Sequence, residues 1–345
     1  MSTKKPVLAV AAIVIVVALY FIFSQTPIDK QVTEKTTKSG LEIAKEIYSY
    51  IGTQKNKDGF YAYASNCKGG CPFIDSVFKN ANTWPVYASV GMYRATNDSK
   101  YLDAAKRDAD TMIAWCAQDS RECVRVLYQI DALYSETGDK KYLDFINTET
   151  AALLSLPDEA ETNFTMLIAI DSVELSDSYI WSGDSKALDS SIKKLSQAEA
   201  LLANEKTLFE KDGNKYRTFS CWPQLARLEL FKSTDDSKYL DGVKAFAANN
   251  IPGNLNIFWM MTDLQPCLDV YQSLYELTGD KSYNADAEKI AQHIITKYWD
   301  SSYSPKVSGN NAIKSNSDQS FSTITEASYM AYMLSRMEGS RFEVR

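Results

Sequence analysis

The sequence predicts an all-α domain in which pairs of antiparallel helices repeat along the chain. The main observation is a short phrase, clearest at Thr137-Gly138-Asp139, that follows an apolar helical run. Glycine readily adopts the left-handed conformation that ends a helix, and the aspartate after it can accept hydrogen bonds from the first N–H groups of the next helix. The phrase therefore predicts a tight joint between two helices. No stretch of the chain predicts a strand.

The same phrase occurs five times, which extends the prediction from one joint to a repeated architecture. The other copies are centred on Asn97, Gly183, Asp235 and Gly279. Neighbouring copies are 41 to 52 residues apart, a period that is typical of repeated helix pairs. An aromatic residue stands three positions before the Thr or Ser of every copy: Tyr93, Tyr134, Tyr179, Phe231 and Tyr275.

Taken in order, the elements amount to twelve helices. The first is expected at 40–51, where apolar residues from Leu41 to Ile51 share one face. The second opens at Thr83-Trp84-Pro85, with Thr83 as its cap and Pro85 in its first turn. The remaining odd helices are expected at 98–116, 139–154, 184–203, 236–248 and 280–298. The even helices are expected at 84–96, 121–137, 160–181, 221–233, 262–277 and 320–337.

Two architectures suit repeated helix pairs. An open solenoid needs polar capping repeats at both ends, whereas a closed toroid needs none. In a toroid, the inner helices are apolar on nearly all sides and the long loops gather at one end. Here the even helices are the more apolar ones, as at Ala327–Leu334, and the long connections precede even helices. The pattern favours the toroid, with the even helices inside.

The N-terminal residues differ in composition from the rest of the chain, because they contain a long uncharged apolar run. Lys4 and Lys5 precede Pro6 to Phe23, a run without a charged residue that is about long enough to span a bilayer as a helix. A cleaved signal peptide is the alternative, but the run lacks a small-x-small cleavage pattern. We expect a cytoplasmic stub and transmembrane anchor at 1–23, a polar stalk at 24–39 and the toroid at 40–345. The two lysines place the domain outside the cell, in the extracytoplasmic space.

The six cysteines agree with an oxidising location. They fall into near-neighbour pairs, and proximity favours three disulfides, with free buried thiols as the alternative. Metal binding is disfavoured because C-x3-C is poor zinc spacing and the single histidine, His293, is remote in sequence. The expected pairs are Cys67 with Cys71, Cys116 with Cys123, and Cys221 with Cys267.

Charge and motifs exclude several classes of function. The net charge is -7 with a pI near 5.0, and no Lys/Arg-rich stripe occurs, so we expect no nucleic-acid partner. The chain has no glycine-rich phosphate loop and no nucleophile elbow, so we expect no cofactor.

The five joints and twelve helices make residues 40 to 338 resemble the six-hairpin glycosidase superfamily, the (α/α)6 toroids. That superfamily includes unsaturated glucuronyl hydrolases, glucoamylases, α-mannanases and sugar 2-epimerases. The resemblance implies a carbohydrate site where the inner helices begin, under the long loops. The chain departs from two branches. The epimerases use catalytic histidines, whereas His293 falls on an outer helix. The mannanases carry an adjacent aspartate pair at the start of an inner helix, whereas Asp235-Asp236 falls in a tight joint.

Aromatic residues near the starts of the inner helices suit a sugar site, because aromatic faces stack on sugar C–H surfaces. Trp84-Pro85 and Trp222-Pro223 are the same phrase at the same structural place. The alternative is that these rings fill the mouth of the toroid as core. Arg217 could bind a sugar carboxylate through two hydrogen bonds. The expected sugar contacts are Trp84, Tyr87, Trp222, Trp259, Tyr61, Tyr63 and Arg217.

Glycoside hydrolysis needs two carboxyl groups, one protonated and one ionised. Asp263 and Glu326 are expected to face each other from adjacent inner helices, with Glu326 as proton donor and Asp263 as base or nucleophile. A partner of the helix dipole or an exposed charge is the alternative for each. Other acids considered are Glu122 near a helix start, Glu229 two turns into its helix, and Asp131 and Asp171 deeper.

The leading prediction is a membrane-anchored extracytoplasmic glycoside hydrolase that binds a carbohydrate. The alternatives are a non-catalytic glycan-binding or scaffold protein on the same toroid, and an open helical-repeat module that binds other proteins.

Overall fold

A computed structural model describes residues 36–62, 64–65, 80–117, 123, 126–155, 165–204, 209–211, 214–216, 221–248, 251–253, 255, 261–298 and 322–344. These residues form twelve α-helices, which confirms the all-α prediction. The helices are α1 (Gly40–Thr53), α2 (Trp84–Thr96), α3 (Ser99–Cys116), α4 (Leu127–Thr137), α5 (Lys140–Ser155), α6 (Thr165–Ser182), α7 (Ser185–Asn204), α8 (Trp222–Thr234), α9 (Ser237–Ala247), α10 (Met261–Thr278), α11 (Lys281–Tyr298) and α12 (Ile324–Ser335).

The even-numbered helices form a closed inner ring. Each contacts the next, and α12 contacts α2, so that the circle has no open end. The odd-numbered helices form an outer layer. Each odd helix after the first packs on the inner helix that precedes it in sequence, and α1 packs on α12. This closure agrees with a toroid and not with an open solenoid.

The tight joints have the geometry that the repeated phrase predicts. Gly138 has φ 61°, and its N–H donates to the carbonyl of Tyr134 at 2.8 Å. The Asp139 carboxylate accepts from the N–H of Lys141 at 3.1 Å and so caps α5. The Thr137 hydroxyl donates to the carbonyl of Leu133 and accepts from the N–H of Asp139, which explains why Thr or Ser recurs. The other four joints repeat the left-handed residue and the aspartate cap: Asn97, Gly183, Asp235 and Gly279, with Asp98, Asp184, Asp236 and Asp280.

A pair of short strands lies where a sixth joint would connect α12 to α1. Strand β1 (Thr36–Ser39) pairs antiparallel with the last strand of the chain (Arg341–Val344). Ser39 and Glu42 form a capping box at the start of α1. Gly40 lies against the carbonyl oxygens of Leu334 and Met337, with no room for a Cβ atom. Residues 36–39 therefore belong to the domain, and the expected stalk at 24–39 is wrong at its C-terminal end.

The absence of strands was also a wrong prediction. Besides the pair at the chain ends, β2 (Ala64–Ser65) pairs with β5 (Ser322–Thr323), and β3 (Phe209–Lys211) pairs with β4 (Asn214–Tyr216), which makes the last strand of the chain β6. These strands are two to four residues long. Segments this short carry no detectable alternation in sequence, and two of the three pairs join distant parts of the chain.

Two of the three expected disulfides are present. Cys116, at the end of α3, is bonded to Cys123, just before α4. Cys221 is bonded to Cys267 and ties the start of α8 to α10. Cys67 and Cys71 lie outside the described residues.

The expected membrane anchor also lies outside the described residues, because the description begins at Thr36. Within residues 36–344, as far as they are described, no helix is both long and apolar enough to cross a bilayer.

Candidate functional site

The loop end of the inner ring, where the even helices begin, is the candidate site. Trp84 and Trp222 are the first residues of α2 and α8, and each is followed by a proline that the first turn tolerates. The ring of Trp84 is half-buried and lies 5.1 Å from that of Tyr329. Trp222 is only 8% exposed. The two tryptophans therefore differ: Trp84 keeps part of its surface open, and Trp222 is mostly core.

Four tyrosines beneath Trp84 cross the inside of the ring, and we call them the tyrosine floor: Tyr87, Tyr128, Tyr329 and Tyr332. Tyr87 stacks on Tyr332 with 3.6 Å between ring centroids, and its hydroxyl donates to that of Tyr128 at 2.7 Å. Burial raises the pKa of Tyr87, Tyr128 and Tyr329 well above the ordinary value, so these hydroxyls stay protonated. Tyr87, expected to contact a sugar directly, is instead covered by Tyr332.

Asp269 on α10 holds the tyrosine floor together. Its carboxylate accepts from the hydroxyl of Tyr329 at 2.8 Å, from the guanidinium of Arg336 at 2.6 Å and from Ser273 at 3.3 Å. The hydroxyl of Tyr128 lies 3.5 Å from the same carboxylate. With its oxygens occupied in this way, Asp269 positions other side chains and is not a free acid.

Sequence analysis did not identify Asp269, although a signal was present. Asp269 stands nine residues before the joint threonine Thr278, as Tyr128 stands before Thr137. Residues at equal distances from equivalent joints lie at similar depths in the ring. Aligning the inner helices by their joint threonines would have placed Asp269 at the same position as Tyr87 and Tyr128.

Glu326 is a buried acid at the loop end of the inner ring. It is the third residue of α12, and its N–H donates to the hydroxyl of the helix cap Thr323. The side chain is 5% exposed, and Oε2 has no hydrogen-bond partner among the described residues. Burial raises the pKa of Glu326 to about 7, opposed by a hydrogen bond to its own backbone. Near neutral pH the carboxyl therefore exists in both protonated and ionised forms.

Gln265 ties α10 to α12 at this level, because its side-chain amide donates to the carbonyl of Glu326 at 2.7 Å. Asp263, the expected partner of Glu326, is the third residue of α10 and precedes Gln265 by two positions. The backbone thus places Asp263 and Glu326 at the starts of adjacent inner helices. The side chain of Asp263 lies outside the described part of the structure, as do Tyr63, Arg217, Trp259 and Glu122.

Tyr61 is not at the site. Its backbone N–H and carbonyl are both bound by the side chain of Asn82, at 2.6 and 3.1 Å. Its hydroxyl donates to Asp108 on the outer helix α3 at 2.7 Å, and Lys55 binds the same carboxylate. The sequence could not show this, because Asp108 is remote from Tyr61. The hydroxyl of Tyr61 is thus occupied by an outer helix and is not available to a sugar at the loop-end site.

The remaining acids considered from the sequence have other positions. Asp171 is buried, 3.8 Å from Lys194 of the outer helix α7. Glu229 accepts from Lys232 at 2.7 Å, nearer the joint end. His293 lies on the outer helix α11 as expected but is half-buried, and its pKa is lowered by burial and by Lys297. The described residues contain no cluster of three or more His, Cys, Asp or Glu side chains arranged to hold a metal ion.

Comparison with known proteins adds the fold relationship. No protein-family model and no curated protein sequence matches the chain. Among solved structures, a Listeria innocua protein is 17% identical with a TM-score of 0.63, covering 87% of this chain and 97% of its own. An inactive α-1,6-mannanase variant from a Salegentibacter species, in complex with α-1,6-mannotriose, is 12% identical with a TM-score of 0.63, covering 87% and 99%.

An unsaturated glucuronyl hydrolase specific for heparin is also similar, at 14% identity with a TM-score of 0.61, covering 86% of this chain and 95% of its own. Identities this low establish the fold alone. Residues 36–344 therefore have the (α/α)6 toroid fold of the six-hairpin glycosidases.

Proposed function

We propose that the chain is a glycoside hydrolase whose site lies at the loop end of the inner ring, with Glu326 as proton donor. One observation carries the proposal: Glu326 is buried at the start of α12, has an oxygen without a partner among the described residues, and has a pKa raised to about 7. A general acid needs a pKa near the working pH, so that it holds a proton and can release it.

In the proposed reaction, the bond between the anomeric carbon and the glycosidic oxygen breaks while the proton of Glu326 passes to that oxygen. Asp263 is our proposed second carboxyl, at the start of the adjacent helix α10. It either attacks the anomeric carbon or removes a proton from the water that does so. A separation of about 5 Å between the two carboxyl groups would give retention, and roughly 6.5–9.5 Å would give inversion.

Trp84 and Tyr128 supply the proposed sugar contacts. The ring of Trp84 is partly open, and Tyr128 is half-buried with a hydroxyl that stays protonated. Together they offer a stacking surface and a hydrogen-bonding group. Tyr329, against which Trp84 packs, follows Glu326 by about one helical turn, so this surface lies about one turn from the proposed proton donor. Trp259, Arg217 and Tyr63, whose side chains lie outside the described part of the structure, remain proposed contacts, whereas Trp222 is mostly core.

The proposed location follows from the sequence of the first 23 residues, which we take to anchor the enzyme with its domain outside the cell. The test is protease treatment of intact cells that express the full chain. The domain should be removed while the cells are intact. Protection of the domain until the cells are lysed would contradict this orientation.

A non-catalytic glycan-binding protein is the second candidate, and one observation favours it. The inactive mannanase variant among the structural neighbours has two adjacent aspartates replaced. In this chain the single adjacent pair, Asp235-Asp236, forms the joint between α8 and α9. A mannanase-like pair at the start of an inner helix is therefore missing.

The two candidates are separated by measuring binding and turnover on the same glycans. The purified full chain in detergent would be offered a panel that includes α-1,6-linked mannotriose and an unsaturated glucuronyl disaccharide, with products followed by chromatography. Binding together with product formation supports the hydrolase. Binding without product favours the glycan-binding protein, and absence of binding to every glycan contradicts both.

A further inference from the structure

The opposite end of the inner ring holds a second group of acids that the proposed reaction does not use. Asp131, Asp177 and Glu229 come from the consecutive inner helices α4, α6 and α8, and we call them the acid cluster. They stand five or six residues before the Thr or Ser of their joints, so they lie at similar depths near the joint end. Tyr87 and Tyr128 of the tyrosine floor stand nine residues before the threonines of their joints, farther from the joint end than this cluster.

The three carboxyl groups interact directly. The charges of Glu229 and Asp131 both act on Asp177, and the charge of Glu229 also acts on Asp131. Burial, followed by the charges of Glu229 and Asp131, raises the pKa of Asp177 well above its ordinary value. Burial and Glu229 raise the pKa of Asp131 to about 7, against the opposing effects of Lys232 and Arg94.

The cluster has more negative than positive charge around it. Lys232 binds Glu229, and its pKa is raised by the neighbouring acids although burial lowers it. Arg94 is held by Glu136 at 2.6 Å, and Arg336 is held by Asp269 and Glu276. Asp177 is 4% exposed, and its Oδ2 has no hydrogen-bond partner among the described residues. Asp177 therefore has a buried oxygen to which no described residue donates a hydrogen bond.

This cluster is open to water at the joint end. Asp131 is half-buried, and the side chain of Lys232 is 40% exposed. The indole N–H of Trp181, near the end of α6, donates to Asp131. Trp181 is itself 37% exposed, which is high for a tryptophan, and its ring packs edge-on against Tyr134. The opening thus has an aromatic wall beside an excess of carboxyl groups.

We propose that the acid cluster binds the ammonium group of a small amine, with Trp181 as the wall of the site. An ammonium group supplies three donors, enough for Asp177 Oδ2 and neighbouring carboxyl oxygens. It also supplies the positive charge that otherwise comes from bound protons, and cations are attracted to indole faces.

The site is independent of the proposed hydrolase reaction, because it lies at the other end of the ring and uses none of its residues. The amine could be carried by an amino sugar or by an alkyl diamine. Glucosamine and putrescine are therefore the two probes, and glucose and N-acetylglucosamine are the controls that lack the charge. Binding to the full chain would be measured by calorimetry and by Trp181 fluorescence, with Trp181→Phe to identify the signal.

Both the pH profile and a matched pair of variants test the proposal. Putrescine should bind up to about tenfold more tightly at about pH 8 than at about pH 6, because Asp131 loses its proton near pH 7. Asp177→Asn should weaken binding about tenfold or more. Asp144→Asn, which removes an exposed carboxylate on α5, should have no effect.

Preferential binding of glucosamine over putrescine would identify an amino sugar as the ligand class, and the reverse would identify an alkyl amine. The proposal is overturned if neither amine binds better than glucose at about pH 8, or if affinity is the same at both pH values. Unchanged affinity in Asp177→Asn would also overturn it. If that variant does not fold, Asp131→Asn and the pH profile of the wild-type chain decide the question.

Discussion

The joint end and the loop end of the inner ring are built by different means. At the joint end, five turns repeat one set of local hydrogen bonds among residues close in sequence. At the loop end, contacts join different helices: Glu174 of α6 accepts from the N–H of Leu127 at the start of α4, and Gln265 of α10 binds α12. The disulfide from Cys221 to Cys267 also belongs to this end.

This difference shows how one scaffold can combine a constant frame with a variable site. Local joints contribute small and independent free energies, so the loss of one should leave the others unchanged. Long-range contacts at the loop end are shared between helices, and a change there should affect the ring more strongly. The joints repeat one set of local bonds, whereas the loop-end contacts differ from helix to helix, so a site at the loop end can differ between proteins of the same fold.

The largest expected effect on stability comes from the disulfide between α8 and α10. The two cysteines are 46 residues apart in sequence. In the chain-entropy model, removing a disulfide that closes a loop of that length lowers the free energy of unfolding by about 4 kcal/mol. The double variant Cys221→Ala and Cys267→Ala should therefore unfold at a much lower urea concentration. The matched control, Cys116→Ala with Cys123→Ala, opens a loop with a separation of 7 and should lose only about 2 kcal/mol. Equal losses would argue against a special role for the longer bond.

The second effect is a fall in stability with rising pH. The pKa of Glu326 is about 7 when folded and has an ordinary value of 4.5, so the folded chain keeps a proton that the unfolded chain has lost. The free energy of unfolding should therefore decrease as pH rises from about 4.5 to about 7, by at most about 3 kcal/mol from this group. Urea titrations across this range measure it.

Glu326→Gln should flatten this pH dependence, because the amide does not titrate. Its stability should be close to that of the wild-type chain at low pH and exceed it above about pH 7. An unchanged slope would mean that Glu326 is not the group responsible. Asp131 and Asp177, whose pKa values are also raised, would then be examined in the same way.

Much of the joint end could be predicted from the sequence, because the residues that determine each turn are adjacent. The joint-end boundaries of the even helices were predicted to within one or two residues. The starts of α4, α6 and α12, expected at 121, 160 and 320, are instead at Leu127, Thr165 and Ile324.

The starts were less predictable because distant partners determine them. Thr83 was expected to cap α2, but it makes no cap bond and its hydroxyl donates to Gln129. The start of α4 is held by Glu174, which is also remote in sequence. Asp269 was missed for the same reason, since its partners lie on α12 and α4. The folded ring brings these residues together, and the sequence carries only the equal spacing of Asp269 and Tyr128 from their joints.

A smaller effect tests the independence of the joints. Asp139→Ala removes the cap of α5 and should cost about 1 kcal/mol. Asp280→Ala removes the equivalent cap of α11 and should cost a similar amount. The double variant should lose the sum of the two, as measured by urea unfolding. A loss much larger than the sum would show that the joints act cooperatively.

The smallest effect concerns the two joints without glycine. Asn97 and Asp235 have φ values of 52° and 56°, where glycine is less strained. Asn97→Gly should stabilise the chain by a few tenths of a kcal/mol, up to about 1. Gly183→Ala, at a joint with φ 69°, should destabilise it by about 1 kcal/mol. Thermal unfolding of the two variants should therefore shift in opposite directions, and shifts of the same sign would refute the explanation.

The central claim is that Glu326 donates the proton at the loop-end site. The most direct test compares the rates of the wild-type chain, Glu326→Gln and Glu338→Gln on a glycan that the wild-type chain cleaves. Glu338 is exposed just beyond α12 and serves as the matched control. Glu326→Gln should lower kcat by about a hundredfold or more with little change in glycan affinity, and Glu338→Gln should change neither. An aryl glycoside whose leaving group needs no proton should recover most of the lost rate. A Glu326→Gln chain as active as the wild type on the glycan would contradict the account.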